Sequence, residues 1–306
     1  MSDELLIIGA GPAGLTAGMY AARARIRVRA LEGGVPGGQV NSTALVENYP
    51  GIKNIAGPEL AQKLTDHATK FGLELSYTRV ERIAKTDSGF TAITESGKEY
   101  TSKAVIIAMG AMPVKLGIPG EEKLTGKGVS YCAVCDGPFN DGKEVAVIGG
   151  GDSAVEEAVY LTRHASRVHI IHRRDELRAA KEIQEKAFAE PKITFHWSQI
   201  PVEVLGEQGV EAVRIRSVKD GREKDLPVFS VFFYVGLKPT PLEGLQNLVE
   251  MDLQGFLITD NYMRCSTPGL FAAGDMRSKT LRQITTAVGD GAQAAYSAQH
   301  YLESLE

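Results

Sequence analysis

Two cysteines separated by two residues, Cys132 and Cys135, with an acid directly after them, Asp136, form the spacing in this chain that most directly suggests chemistry. A Cys-x-x-Cys pair can close a small disulfide ring. It also favours thiol-disulfide exchange, because one sulfur is placed to attack while the other resolves. Asp136 could pass a proton as a thiolate forms or leaves, or it could simply shape the turn ahead of Gly137 and Pro138. Half of a zinc site is the competing reading of the pair. Zinc asks for four ligands, and neither a second pair nor a nearby histidine accompanies this one, so no metal is expected. Cys265 has no partner in sequence and reads as a structural thiol. The six histidines show no metal-ligand spacing, and Gly-x-Ser-x-Gly is absent.

The elements around the pair are two glycine turns. Leu5 to Ile8 reads as a buried strand, and Gly9-Ala10-Gly11-Pro12-Ala13-Gly14 then opens a helical stretch from Leu15 to Arg25. A second strand, Val28 to Leu31, ends at Glu32. Strand, glycine turn, helix, strand and acid together make a dinucleotide-binding unit. The helix amino terminus takes the pyrophosphate and the acid takes ribose hydroxyls. The pattern returns downstream: Val145 to Ile148 is a strand, Gly149-Gly150-Gly151-Asp152-Ser153-Ala154 the turn, Val155 to Thr162 a helix and Val168 to Ile171 a strand. The offset that leads from Gly9 to Glu32 leads from Gly149 to His172, where no acid stands. Arg173 and Arg174 follow at once, and Arg178 lies one helical turn beyond. Guanidinium groups pair with a 2'-phosphate that a carboxylate would repel. Acid in one turn and arginine in the other point to FAD in the first and NADPH in the second.

The rest of the chain frames these two units. Val105 to Ala108 reads as a strand, followed by a crossing at Met109-Gly110-Ala111-Met112-Pro113. Val231 to Val235 reads as the closing strand of the second unit, and Leu237-Lys238-Pro239-Thr240-Pro241 as a stiff linker rather than more sheet. Leu270 to Asp275 is an apolar strand ending in Gly274-Asp275, and Gln283 to Leu302 is a long helix. A carboxylate at that strand end can bond a ribityl hydroxyl, or it can cap a helix. The amino end of the following helix can face the flavin. The expected fold is therefore α/β, with two Rossmann-like domains, the NADPH domain inserted into the FAD domain. The boundaries are residues 1–113 with 244–306 for FAD, and 114–243 for NADPH and the cysteine pair.

Composition agrees with a large cofactor-binding chain. At 306 residues it exceeds one ordinary core. Its 33 glycines, well above the usual share, suit tight turns and close approach of backbone to ligand. A net charge of -4 gives no sign of a nucleic-acid surface, so no such partner is expected. The amino terminus carries acids where a secretory signal would carry lysine or arginine, and no run reaches the length of a membrane span. A cytoplasmic protein without membrane attachment is expected.

The order of FAD turn, Cys-x-x-Cys-Asp, NADPH turn with paired arginines, and late Gly-Asp resembles bacterial thioredoxin reductase over essentially the whole chain. The resemblance is carried by Gly9 to Gly14, Glu47-Asn48-Tyr49-Pro50-Gly51, Cys132 to Asp136, Gly149 to Glu157, His172 to Ala179, and Gly274-Asp275 with Arg282-Gln283. It implies a homodimer in which Gly9, Gly11, Pro12, Ala13, Gly14, Glu32, Gly38, Gln39, Asn48, Gly110, Gly274, Asp275, Arg282 and Gln283 meet FAD. Gly149, Gly151, Asp152, Ser153, Ala154, His172, Arg173, Arg174 and Arg178 would meet NADPH. It further implies that Cys135 faces the flavin, that Cys132 attacks the disulfide of thioredoxin or a thioredoxin-like protein, and that Asp136 is the acid. In the family the NADPH domain rotates about two linkers, here near Met112 to Lys115 and Gly236 to Pro241. One departure is Pro138-Phe139, where the family often has two aromatics, and Lys127 stands near an arginine that helps dock thioredoxin in relatives. Other readings of the same core are the flavoprotein partner of a peroxiredoxin, a ferredoxin or flavodoxin reductase, and a non-enzymatic flavin redox sensor.

Overall fold

The computed structural model describes residues 3–43 and 46–305, and the side chains of Val134 and Cys135 lie outside the described residues. The chain divides into two compact units, residues 1–112 with 238–306, and residues 113–237. From sequence the second crossing is expected after residue 243. The structure returns the chain to the first unit at Lys238, because Leu242 and Leu245 are already buried there in one cluster with Ile83.

In the first unit, Leu5, Leu6, Ile7 and Ile8 are all buried, as expected for a strand covered on both faces. The strand Asp3–Ile8 pairs in parallel with Val28–Glu32 on one side and Glu99–Ile107 on the other. Glu74–Tyr77 extends the sheet beyond Val28–Glu32, and Leu270–Ala272 pairs in parallel with Glu99–Ile107. The antiparallel strands Val80–Thr86 and Gly89–Thr94 continue from the far end of Glu99–Ile107. That hairpin is not evident in the glycine-turn pattern. The expected strand Leu270 to Asp275 is shorter in fact. It stops at Ala272, and Gly274–Met276 makes a single 3-10 turn, with Gly274 at φ +75° and its N–H donated to Asp290.

The helices Pro12–Arg23 and Ile284–Glu303 pack against each other on one face of this sheet. Small residues make the approach possible. A Cβ on Gly291 would overlap the carbonyl oxygen of Ala13, and a Cβ on Gly274 would come within 2.9 Å of the Ala13 side chain.

In the second unit, five parallel strands run in the order Ile193–Trp197, Arg167–His172, Glu144–Gly149, Ser230–Tyr234 and Val129–Ser130. The helices Asp152–Leu161 and Lys181–Ala189 contact one another. A separate three-stranded antiparallel sheet, Gln199–Leu205, Ala212–Ser217 and Glu223–Pro227, buries Val204, Val213 and Ile215. The linker expected to be stiff but outside any sheet is in fact paired: Leu237–Pro239 and Ala111–Pro113 form a two-stranded sheet. Among the described residues no helix is long and apolar enough to cross a membrane.

Because Gly291 meets backbone that cannot move aside, Gly291→Ala is expected to destabilise the first unit by about 2 kcal/mol, lowering the thermal midpoint by about 5 °C. Thermal unfolding followed by circular dichroism checks this.

Candidate functional site

In the first unit the three glycines of the turn differ in what excludes a side chain. A Cβ on Gly9 would lie 2.5 Å from the Ala108 oxygen, and one on Gly14 would overlap the carbonyl of Gly9. Both are therefore required by the protein's own packing. A Cβ on Gly11 would meet no protein atom within 4 Å. Gly11 is also the N-cap of Pro12–Arg23 and offers no side-chain cap, so the first N–H groups of that helix are left for another acceptor. Gly38 adopts φ +55° with its Cβ direction 3.4 Å from the Gly11 Cα, which brings this loop beside the turn. Gln39 Nε2 donates to the Ala111 carbonyl, and Gly110 accepts from the Thr240 N–H at 3.2 Å.

Glu32 closes this site from the second strand. Its Oε2 accepts from Ala10 N–H and its Oε1 from Gly34 N–H, each at 2.7 Å, which fixes the carboxylate at the strand end. Asp275 stands after the Leu270–Ala272 strand, and its Oδ1 is buried with no hydrogen-bond partner. Burial raises its pKa, while Lys279 and Arg282 oppose the rise. Lys279 Nζ is 4.0 Å from that oxygen and 2.9 Å from Asp290, which also pairs with Arg277 at 2.8 Å. Arg282 lies with its guanidinium 4.0 Å above the Phe256 ring and reaches the Asp275 carbonyl at 3.4 Å. Gln283 caps the last helix in a reciprocal box with Thr286, and its Oε1 accepts from Asn48 Nδ2 at 3.1 Å. Asn48, Gln283, Arg282 and Asp275, far apart in the chain, thus belong to one connected group.

The second unit repeats the arrangement with different electrostatics. A Cβ on Gly149 would overlap the Tyr234 carbonyl, and one on Gly150 would come within 2.5 Å of the His172 ring. Gly151 again meets nothing within 4 Å and again caps its helix without a side chain. Asp152, at the first helical position, does not face outward. Its Oδ1 accepts from Ala180 N–H at 2.7 Å, while Arg178 N–H donates to the Gly150 carbonyl at 2.7 Å. These two bonds hold the segment after the second strand against the turn. Arg173, Arg174 and Arg178 are exposed, and none of them has an ion-pair partner among the described residues. His172 is buried at the strand end, and its Nε2 has no partner among the described residues. Burial first, and Arg178 next, lower its pKa, so the ring is neutral near pH 7. Ser153 is exposed on the first turn of the helix and Ala154 is buried under Gly149.

The cysteine pair lies in this same unit. Cys132 is disulfide-bonded, whereas Cys265 is a free, buried thiol whose pKa burial pushes up to about 12. The Cys135 side chain is outside the described residues. Cys132 N–H donates to Ser130 Oγ at 3.0 Å, and Ala133 N–H donates to the Tyr234 hydroxyl at 2.9 Å. Asp136 closes the short helix Ala133–Asp136. Its carbonyl accepts from Asn140 Nδ2 at 2.7 Å, and its carboxylate has no partner among the described residues. No group of three or more metal-ligating side chains occurs among the described residues.

The residues can be compared with the groups they are expected to hold. A turn that is open only at Gly11, an oriented acid and an orphaned buried Asp275 oxygen fit a dinucleotide with ribose and ribityl hydroxyls. A turn that is open only at Gly151, flanked by three unpaired arginines, fits a dinucleotide with an extra phosphate.

Residues 3–291 match the family model described as pyridine nucleotide-disulphide oxidoreductase. The chain belongs to this family. Among its relatives, the thioredoxin reductase of Listeria innocua is 48% identical over 99% of this chain and 95% of that protein. A crystal structure of Lactococcus lactis thioredoxin reductase matches with a TM-score of 0.96 and 49% identity, covering 99% of this chain and 100% of that one. The thioredoxin reductase of T. acidophilum matches with a TM-score of 0.94 at 36% identity, over 100% of this chain and 99% of that one.

Several polar groups of this pyridine nucleotide-disulphide oxidoreductase carry no motif signature. Arg277, Lys279 and Asp290 form a half-buried network beside Asp275, which the sequence marks only by an acid at a strand end with basic residues after it. Near the disulfide, Tyr234 and Glu157 are the counterparts. Glu157 is half-buried on the Asp152–Leu161 helix, which packs on Ala133–Asp136. Burial, and then Glu156, push its carboxyl up to about 7 from 4.5. Burial first, with Glu157 next among the charges, keeps Tyr234 protonated.

A carboxyl raised on folding favours the native state below its unfolded pKa and loses that advantage as pH rises through its folded value. The window for Glu157 therefore runs from 4.5 to about 7. Glu157→Gln is expected to raise the thermal midpoint over wild type at about pH 8 and to leave it nearly unchanged at about pH 4. Thermal scans of both proteins at the two pH values check this.

Proposed function

We propose that the chain is a cytoplasmic, homodimeric thioredoxin-disulfide reductase that uses FAD and NADPH. The observation that carries this reading is the Cys132 disulfide, set in the same unit as a dinucleotide turn flanked by three unpaired arginines, in a chain with a second, acid-bearing turn. The unit of residues 1–112 with 238–306 is assigned to FAD and that of residues 113–237 to NADPH. The full-length similarity to thioredoxin reductases supports thioredoxin, or a thioredoxin-like protein, as the substrate.

Bound FAD supplies a two-electron relay between a nicotinamide and a disulfide. The chain's own residues do the rest. Gly11 and Gly151 let main-chain N–H groups reach the two diphosphates, and Glu32 and Asp275 accept from hydroxyls. Arg173, Arg174 and Arg178 take the 2'-phosphate, as the NADPH-specific contact. Reduction of the Cys132–Cys135 bond adds two electrons and breaks the sulfur–sulfur bond. Asp136, adjacent to Cys135 in the chain, supplies the proton that one sulfur takes up. The Cys132 thiolate then attacks the partner's disulfide and forms a mixed disulfide. Cys135 gives up its proton and attacks Cys132 in turn, which re-forms the internal bond, and the two partner sulfurs take up that proton and one from solvent to leave as a dithiol.

Cys135→Ser is expected to retain flavin colour and NADPH-driven bleaching of that colour while thioredoxin reduction falls to background. Full turnover by that variant would overturn the assignment. Replacing both Arg173 and Arg174 by Ala is expected to raise KM for NADPH by about 100-fold with little change for NADH, in line with the loss of charge-assisted hydrogen bonds. Steady-state kinetics with the two coenzymes measures it.

A further inference from the structure

The segment that carries the arginines also carries an acid. Asp175 follows Arg174 directly, and a carboxylate among three guanidinium groups would either pair with one of them or repel an incoming phosphate. The structure shows neither pairing. Asp175 Oδ2 is 2.9 Å from Lys219 Nζ, and its Oδ1 accepts a hydrogen bond from the Ser198 hydroxyl. No arginine of the group pairs with Asp175 among the described residues.

Both partners come from outside the coenzyme turn. Ser198 is the single residue between the strand Ile193–Trp197 and the antiparallel sheet that begins at Gln199. It is buried and adopts φ +53°, in the left-handed region that serine rarely occupies. That conformation lets it bond in three directions. Its N–H donates to the Arg174 carbonyl at 3.2 Å, its carbonyl accepts from Val218 N–H at 2.9 Å, and its hydroxyl reaches Asp175. Lys219 sits in the turn between Ala212–Ser217 and Glu223–Pro227, so the groups that hold Asp175 come from the residue that leads into the antiparallel sheet and from one of that sheet's turns. At the other end of the segment, Arg178 and Ala180 are bonded to Gly150 and Asp152. The arginine segment is thus tied at both ends while its guanidinium groups stay unpaired.

We propose that Ser198 and Lys219 are positioning residues for coenzyme selection, holding the Asp175 carboxylate away from Arg173, Arg174 and Arg178 so that these face the 2'-phosphate of NADPH unopposed. The proposal rests on the reading of residues 113–237 as the NADPH-binding domain. It gives the three-stranded antiparallel sheet a role in discriminating between coenzymes, although that sheet lies outside the dinucleotide-binding pattern.

The test is calorimetric titration of the FAD-loaded protein with adenosine 2',5'-bisphosphate and, separately, with 5'-AMP. Ser198→Gly deletes the hydroxyl but suits the left-handed backbone, so its thermal midpoint is expected to match or exceed that of wild type. Its affinity for the bisphosphate is expected to fall about tenfold, the worth of one hydrogen bond, with 5'-AMP affinity unchanged. Adding Asp175→Asn to Ser198→Gly removes the charge that has been freed, and is expected to recover most of the lost affinity. A Ser198→Gly protein that keeps the wild-type affinity ratio overturns the proposal, as does a double variant that recovers nothing. A wild-type protein that binds the two nucleotides equally would instead overturn the NADPH reading itself.

Discussion

A diphosphate can accept hydrogen bonds from the start of a helix only if nothing stands between it and the main chain. In the proposed assignment the two turns of this protein answer that constraint. In each turn the protein's own packing forbids side chains at the flanking glycines, Gly9 and Gly14 in the first and Gly149 and Gly150 in the second. At Gly11 and Gly151 a Cβ would meet nothing within 4 Å, which in the proposed assignment leaves room for the ligand to approach the main chain. Both are also N-caps without side-chain partners, so the helix donors they precede are available. The same turn is built twice, from different neighbours, to meet one requirement.

What distinguishes the two sites is the charge at the end of the second strand, and how it is held. Glu32 is fixed by two main-chain N–H groups at 2.7 Å, which orient it without neutralising it. At the corresponding place in the second unit His172 is buried and neutral, and the charge is moved outward to arginines. An exposed guanidinium keeps its hydration until a phosphate arrives, so an unpaired group of three is tolerated where an unpaired buried one would not be. The buried charges of the first unit obey the opposite rule. Asp290 is matched by both Arg277 and Lys279, whereas Asp275 Oδ1, 4.0 Å from Lys279, has no hydrogen-bond partner among the described residues.

The two strand, glycine turn and helix units were legible in the sequence because they depend on residue types at fixed local spacing. Gly9 to Gly14, Glu32, Gly149 to Ala154 and the arginines can each be found by counting along the chain. The strands beside them were legible because they are buried on both faces and read as continuous apolar runs. Residues whose role depends on meeting a distant segment were not. Asn48 bonds to Gln283 across 235 positions, and Tyr234 meets Ala133 across 101. Nothing in the local pattern marks Asp290 or Ser198 as polar groups with a fixed partner. The pairing of Leu237–Pro239 with Ala111–Pro113 was hidden for a related reason, since two prolines suggest an unpaired linker until the partner strand is known.

The position of the cysteine pair adds a mechanical consequence. Cys132 lies between the first crossing and the Glu144–Gly149 strand, so the disulfide and the arginine-flanked turn are parts of one compact unit. In the proposed assignment an electron donor and an electron acceptor are therefore carried on one body, and the FAD on another. Two chain crossings join these bodies, at residues 112–113 and 237–238. At these crossings Ala111–Pro113 pairs with Leu237–Pro239, so the connecting segments are ordered by very few residues. A ribbon of two short strands has few bonds to resist bending, unlike a packed helix or a wide sheet.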